Sequence, residues 1–334
     1  MTARPERVVE NLNAALHAAL AADPDLYLLG EDIADPYGGA FKATRGLSTA
    51  YPRQVVTTPI SEAGIVGVAA GLALAGNRAI VEMMFGDFVT LAFDQIVNFA
   101  AKSVTMYGRE VPVRVVVRCP TGGRRGYGPT HSQSLQKHFI GVPGLDVHEM
   151  SPFHDNAATF AAMLATGRPC VHFEDKVLYG ERMYRDGIVD DVFRFDLAHE
   201  HARVFADEPD TPAEHVVIAT GGTANRALRA MRDLLLLDEL DVRLLVPSRL
   251  YPLAVEGMLP ALRRARRVFV VEESTAGGTW GAEVAAVLNR ELWGTLEAPV
   301  TLVHSAGGVV PAAVHLERRA LVSAESIRTA VRGA

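Results

Sequence analysis

Short aliphatic and β-branched runs alternate along this chain with segments of helical period, and no other feature limits its fold as much. In the first half, Leu26 to Leu29, Ala79 to Met84, Val111 to Arg118, Val147 to Met150 and Cys170 to Phe173 read as strands. Helical patterns lie between them. Val8, Leu12, Ala15, Leu16 and Ala19 share one face, and further helices are expected from Thr90 to about Thr105 and from Asp155 to Ala165. The second half repeats the rhythm, with strands at His215 to Ala219, Val242 to Val246, Val268 to Val271 and Val300 to Val303. A helix is expected from Gly221-Gly222-Thr223 to about Leu237. Such alternation predicts parallel sheets covered on both faces. At 334 residues the chain divides naturally into two domains. Residues Tyr184 to Asp210 are charged and aperiodic and read as the linker, so the expected domains are 1-190 and 205-334. The predicted class is α/β, with two open parallel-type α/β domains.

Composition excludes several partners. Hydrophobic residues make up 49% and charged residues 22%, enough to bury a large core and too apolar for a disordered chain. A formal net charge of -6 leaves no basic stripe for phosphates, so no nucleic-acid partner is expected. Apolar runs are broken by Gly, Pro or charge well short of a membrane span. The opening MTARPERVVENLNAAL goes straight into an amphipathic helix with no apolar signal core, and a cytoplasmic protein is expected. Cys119 and Cys170, the only cysteines, lie beside β-like runs and read as reduced core residues, too few for a zinc site. His199, Glu200 and His201 lack a convincingly spaced third ligand and read as solvated linker, so no metal ligand is assigned.

One stretch stands apart chemically: Thr57 to Gly76, TTPISEAGIVGVAAGLALAG. Val55 and Val56 end a short strand, Pro59 stops it, and Ser61 is placed to cap a helix. Ile65, Val68, Ala69 and Leu72 recur at helical spacing and predict the apolar face. Glu62 falls in the first turn, where the helix dipole stabilises a carboxylate. Gly64, Gly67 and Gly71 each cost roughly 1 kcal/mol relative to alanine inside a helix. Close approach of a backbone or a ligand is the expected compensation. On these residues alone, an acid that merely favours the dipole is the plainer reading.

The loop Pro120 to Ser134, PTGGRRGYGPTHSQS, follows a buried-type strand and carries four glycines. Ligands in parallel sheets sit beyond the carboxyl ends of strands, where both this loop and Glu62 lie. His131 is flanked by Ser132, Gln133 and Ser134, all able to orient its imidazole. A histidine in such a loop is equally read as a surface residue. No dinucleotide GxGxxG, P-loop, GxSxG elbow or HExxH is present. Gly277-Gly278-Thr279-Trp280-Gly281 precedes a helix and reads as a tight turn rather than an anion cradle.

These segments carry a resemblance. TPISEAGIVGVAAGLALAG, VEMMFGDFVTLAFDQIVNFAAK, VVVRCPTGG…HSQS, FEDKVLYGERMY and RLYPL…VFVVEES look like the β subunit of thiamine-diphosphate-dependent 2-oxoacid dehydrogenases, in collinear order over nearly the whole chain. The resemblance implies a pyrimidine-binding domain followed by a transketolase-type C-terminal domain. It also implies an α2β2 heterotetramer whose α subunit holds magnesium and the diphosphate of the cofactor, thiamine diphosphate. The Gly-Asp-Gly signature for that metal is missing here; Gly86-Asp87-Phe88 belongs to the β-subunit motif. Glu62 matches the acid that hydrogen-bonds the aminopyrimidine ring and so helps remove the thiazolium carbon's proton. Ile60, Met84 and Phe88 match residues that line or stack on that ring, although the residues alone assign all three to the core. His131 matches the active-site histidine near the reacting carbon, and Glu31 and Ile33 follow the first strand nearby.

Three places depart from the family, the first being the chain's end, which follows it only loosely from Ser305 onward. Thr166 and Arg168 stand where relatives bind a structural potassium, which argues against that cation here. Arg124, Arg125 and Tyr127 stand in a loop that relatives keep neutral, and salt bridges to the α subunit are favoured over recognition of an acidic substrate. The implied activity is oxidative decarboxylation of a small 2-oxoacid with acyl transfer to a lipoyl-bearing acyltransferase. A carboligase or split transketolase is the alternative, and a noncatalytic α/β scaffold the third reading.

Overall fold

Two compact units divide the chain in a computed structural model that describes residues 6–333. The first five residues of the opening segment therefore lie outside the described part. The first unit takes Met1–Gly122, Phe139–Met150 and His154–Met183; the second takes Gly123–His138, Ser151–Phe153 and Tyr184–Ala334.

In the first unit, α1 (Val8–Ala22) is followed by β1 (Leu26–Gly30), β2 (Val55–Thr57), α2 (Glu62–Leu74) and β3 (Arg78–Glu82). Then come β4 (Val115–Thr121), β5 (Asp146–Glu149), α3 (Asn156–Ala165) and β6 (Cys170–Asp175). The strands lie in the order β5, β6, β4, β3, β1, β2, and every neighbouring pair is parallel. Leu28 stands beside Ile80, and Val81 beside Val117, so the aliphatic runs line up across the sheet. Both faces are buried, as parallel sheets require. Val8, Leu12, Leu16 and Leu20 of α1 join Phe160 and Met163 of α3 in one core cluster on one side. Asp155 caps α3 by accepting from the N–H groups of Ala157 and Ala158 at 3.0 and 3.1 Å.

The stretch expected as one helix from Thr90 to Thr105 is instead a 3-10 turn at Gly86–Ala92, a π segment at Gln95–Ala100 and a short α turn at Ala101–Ser103. Cys119 and Cys170 are buried thiols in no disulfide among the described residues, as expected of reduced core residues.

The second unit carries β7 (Arg194–Ala198), β8 (His201–Phe205), β9 (His215–Ala219), α4 (Ala224–Asp238), β10 (Val242–Pro247) and β11 (Arg267–Thr275). It ends with α5 (Trp280–Glu291), β12 (Thr301–Ser305), α6 (Val314–Ala320) and α7 (Ala324–Arg332). Its sheet order is β12, β11, β9, β10, β8, β7, parallel except where β8 pairs with β7 and β10. The segment read as a linker thus holds an antiparallel hairpin, turned at His199 with φ +57°. Its charges hid the pattern, because Arg203 and Asp196 pair across the two strands. Phe195, Ala202 and Val204 face the unit's core.

Candidate active site

Sheet order brings three loops of the first unit together. β1 lies between β2 and β3, so the segments leaving their carboxyl ends start side by side. Those segments carry Glu31 after β1, Ile60 and Glu62 after β2, and Met84 and Phe88 after β3. The N–H of Thr58 donates to Gly30 O at 3.0 Å, which fixes the path from β2 into α2.

Glu62 is the first residue of α2 and only 7% exposed. Ser61 occupies the cap position, but its hydroxyl accepts no cap bond; its carbonyl accepts from Ile65 N–H at 2.8 Å instead. The expected hydroxyl cap is therefore wrong. The Glu62 carboxylate makes no hydrogen bond or ion pair among the described residues. Glu31, also buried, accepts from the Ser61 N–H, while its Oε1 has no partner. Burial first, and the nearby Glu62 charge second, push the Glu31 carboxyl above its ordinary range.

The apolar candidates that leave the same strand ends are not core. Ile60 is 80% exposed, and Met84 and Phe88 are half-buried, against the expectation from the residues alone. The Phe88 ring meets Phe85 edge-on at 5.8 Å, and Phe85 meets Phe41 at 5.5 Å. An acid with open acceptors beside apolar side chains suits a flat heteroaromatic ring carrying N–H donors. The buried face of α2 is Glu62, Ile65, Val66, Ala69, Ala70 and Ala73, whereas Val68, expected inside, is 56% exposed. Because α2 is apolar on every side, periodicity alone could not choose its face.

A buried ionic cluster lies at the same strand ends. The Arg118 guanidinium donates to Glu82 at 2.5 Å and to both oxygens of Glu174 at 2.7 and 2.8 Å. Tyr179 donates its hydroxyl to Glu174 at 2.6 Å. Burial alone would discharge Arg118, but Glu174 and then Glu82 outweigh it and hold the guanidinium charged. Burial opposes the Glu174 charge too, yet Arg118 keeps its carboxyl below the ordinary value. A Cβ at Gly39, where φ is +78°, would lie 2.5 Å from Glu82 Oε1, so the loop after β1 needs glycine there. Sequence reasoning missed this cluster. Its signal was three charges, Glu82, Arg118 and Glu174, inside otherwise aliphatic strand runs.

His131 lies in the second unit, on the loop Gly123–His138. Its Nδ1 shares a hydrogen bond with Thr130 Oγ1 at 2.9 Å, and its N–H donates to Gly128 O at 3.3 Å. Of the flanking hydroxyls expected to orient the ring, Ser132 is buried without a partner and Ser134 donates to Glu273 at 3.4 Å. Arg124, for which a salt bridge to the α subunit is expected, has partners within its own unit. Its guanidinium pairs with Glu273 at 3.5 Å and donates to Val322 O, while Arg125 and Tyr127 remain exposed.

The remaining candidates resolve structurally. Glu272 accepts the Trp280 and Gly281 N–H groups at 3.3 and 2.6 Å, so the glycine-rich start of α5 is closed by its own chain. His201 is buried on Ala254 O at 2.7 Å and Glu200 pairs with Arg249 at 2.8 Å, so this segment is neither solvated linker nor metal site. Among the described residues, Asp146, His148 and Cys170 are the one cluster with metal-like spacing. The Arg168 guanidinium already sits on Asp146 at 2.7 Å.

The fold and the acid at the strand ends define a transketolase-type α/β protein. Residues 7–181 match the family described as transketolase, pyrimidine binding domain, and residues 210–327 match the transketolase C-terminal domain. A solved split-gene transketolase, described as an inactive beta4 tetramer, shares the fold with TM-score 0.73 at 20% identity, covering 97% of this chain and 96% of that one. The chain is 32% identical to pyruvate dehydrogenase E1 component subunit beta-2, mitochondrial, of Oryza sativa subsp. japonica, covering 99% of this chain and 87% of the relative. It is 34% identical to the E1 component subunit beta of Leifsonia xyli subsp. xyli, over 89% and 85% of the two chains. The corresponding subunit of Rickettsia felis is 29% identical over 97% of each. The chain belongs to the pyruvate dehydrogenase E1 β-subunit family of transketolase-type proteins.

Proposed function

We propose that this chain is the β half of a thiamine-diphosphate-dependent 2-oxoacid decarboxylating component, active with an α subunit in an α2β2 heterotetramer. One observation carries the reading: Glu62 is a buried carboxylate with no hydrogen bond or ion pair among the described residues, and the neighbouring strand ends of the same sheet lead into Ile60, Met84 and Phe88. Thiamine diphosphate, when bound, supplies the carbon nucleophile and the electron sink for the decarboxylation. Glu62 holds a proton at a nitrogen of the aminopyrimidine ring, and the three apolar side chains orient that ring and exclude water. His131 stabilises the substrate carboxylate and later donates a proton to the reduced acyl acceptor, a lipoyl group on a partner acyltransferase. Magnesium and the diphosphate are assigned to the α subunit, and the domains to 1-190 and 205-334.

Exposed apolar side chains in the first unit, Val68 at 56% and Leu91 at 63% among them, support a partner surface there. No helix among the described residues is long and apolar enough to cross a membrane, and we place the enzyme in the cytoplasm. Calorimetric titration tests the assignment. Thiamine diphosphate with magnesium should bind poorly to the lone chain and tightly after addition of the α subunit, and a 2-oxoacid screen should then show turnover. Magnesium-dependent micromolar binding by the lone chain overturns the shared-site reading.

A further inference from the structure

The loop that carries His131 is tied to the rest of the second unit by two buried carboxylates. Glu317, on α6, is fully buried; one of its oxygens accepts the Arg124 N–H at 2.8 Å and the other the Gly126 N–H at 3.1 Å. Glu273, near the end of β11, accepts the Gly123 N–H at 2.8 Å and the Ser134 hydroxyl at 3.4 Å. It thereby closes both ends of the loop on one carboxylate. Arg226, also buried, neutralises Glu273 at 2.9 Å.

The loop backbone is shaped for this contact. Arg124 has φ +70° and Gly126 φ +69°, left-handed conformations in a stretch whose Arg124 and Gly126 amides both point to Glu317. A Cβ at Gly123 would meet Leu321 Cδ1 at 2.4 Å, so the chain runs directly against the end of α6. Hydrogen bonds to an ionised acceptor are about twice as strong as neutral ones. A buried carboxylate that has lost its amides, or amides that have lost their carboxylate, is costly. The loop therefore has one well-determined path, and His131 sits on it between the two tethers.

We propose that Glu317 is a positioning residue for His131, setting the place of the imidazole through the amides of Arg124 and Gly126. The inference rests on the role given to His131 above. Glu317 does not touch substrate or cofactor; it acts through the loop.

The test uses the assembled α2β2 enzyme with Glu317→Gln, His131→Ala and the double variant. Glutamine keeps the size and one acceptor oxygen but turns an amide toward a backbone N–H. Glu317→Gln should lower the lipoyl-dependent kcat about tenfold and raise the KM for the 2-oxoacid, whose carboxylate His131 meets, while the Kd for thiamine diphosphate stays within about twofold. Trypsin should cut faster after Arg124 and Arg125. In the double variant the two losses should not multiply, because removing the imidazole removes what Glu317 positions. Multiplying losses, or an unchanged kcat with Glu317→Gln beside an impaired His131→Ala, overturns the proposal. An unimpaired His131→Ala overturns the role of His131 instead. Should Glu317→Gln assemble poorly, Gly123→Ala offers a second route to the same displacement, with the same expected kcat loss and the same refutation.

Discussion

Replacing Glu62 by glutamine tests the chemistry with little disturbance of the fold. Among the described residues the carboxylate makes no bond that the amide would break, and it stands at the first residue of α2. Losing its charge removes a dipole interaction of roughly 0.3–1 kcal/mol. It also relieves repulsion with Glu31, whose carboxyl is raised by burial and by Glu62. The two changes oppose each other, so unfolding free energy should move by no more than about 1 kcal/mol. The catalytic effect is of another size. An amide cannot hold the proton that a carboxylate holds, and positioned acid–base groups contribute about 10²–10⁴-fold. That corresponds to roughly 2.7–5.5 kcal/mol of barrier. The assay is quenched exchange of the cofactor's thiazolium proton into deuterium oxide, measured by NMR on the α2β2 enzyme. Exchange at the normal rate, with the cofactor demonstrably bound, refutes the assignment of Glu62 and leaves it a helix-start acid.

Two further outcomes are expected. His131→Ala should leave that proton exchange intact and reduce lipoyl-dependent turnover at least about tenfold, with a smaller loss when an artificial electron acceptor is used; equal losses together with weaker cofactor binding would mean that His131 only orders its loop. Burial and the neighbouring Arg118 charge lower the His172 pKa from 6.5 to about 4, against the opposing pull of Glu174. The unfolded chain therefore takes up this proton at higher pH than the folded one, and the stabilisation is complete above pH 6.5 and lost as pH falls toward 4. The loss amounts to about 3 kcal/mol, and urea midpoints of His172→Leu should decline less steeply than wild type over that range; parallel slopes refute it.

Much of the fold was legible because parallel sheets demand runs that are apolar on both faces, and such runs are visible without context. Val115 to Val117 and Val268 to Val271 needed nothing else. The linker failed for the opposite reason. β7 is the edge strand of its sheet and β8 pairs with it, and the charges Arg194, Asp196 and Arg203 on this hairpin masked its alternation. The segment after Gly86 failed because its hydrogen bonds shift from 3-10 to π spacing, which no single period describes. At the site, residue types pointed to Glu62 but could not place its neighbours. Ile60 and a core isoleucine look alike in sequence; only the structure leaves one of them in solvent. The roles of Arg124 and Glu317 depend on contacts 193 residues apart in the chain, beyond the reach of local pattern.

The glycines of α2 show where the physics of this one chain stops balancing. Three helix-interior glycines cost together roughly 3 kcal/mol relative to alanine. Of the three, and among the described residues, only Gly67 meets a distant group, the Gln95 side chain, at 3.1 Å from where a Cβ would stand. Gly64 faces only its own cap residue, Ser61, and Gly71 has nothing within 4 Å. Gly64, Val68 and Gly71 are all exposed along one side of the helix, opposite the face that packs on the sheet. Among the described residues, then, nothing offsets the cost at Gly71. A smooth, apolar, glycine-lined helix that begins with a partnerless buried acid makes physical sense when a second surface packs along it. That is the arrangement expected of a cofactor site completed by another subunit, and the same helix supplies both the packing face and Glu62.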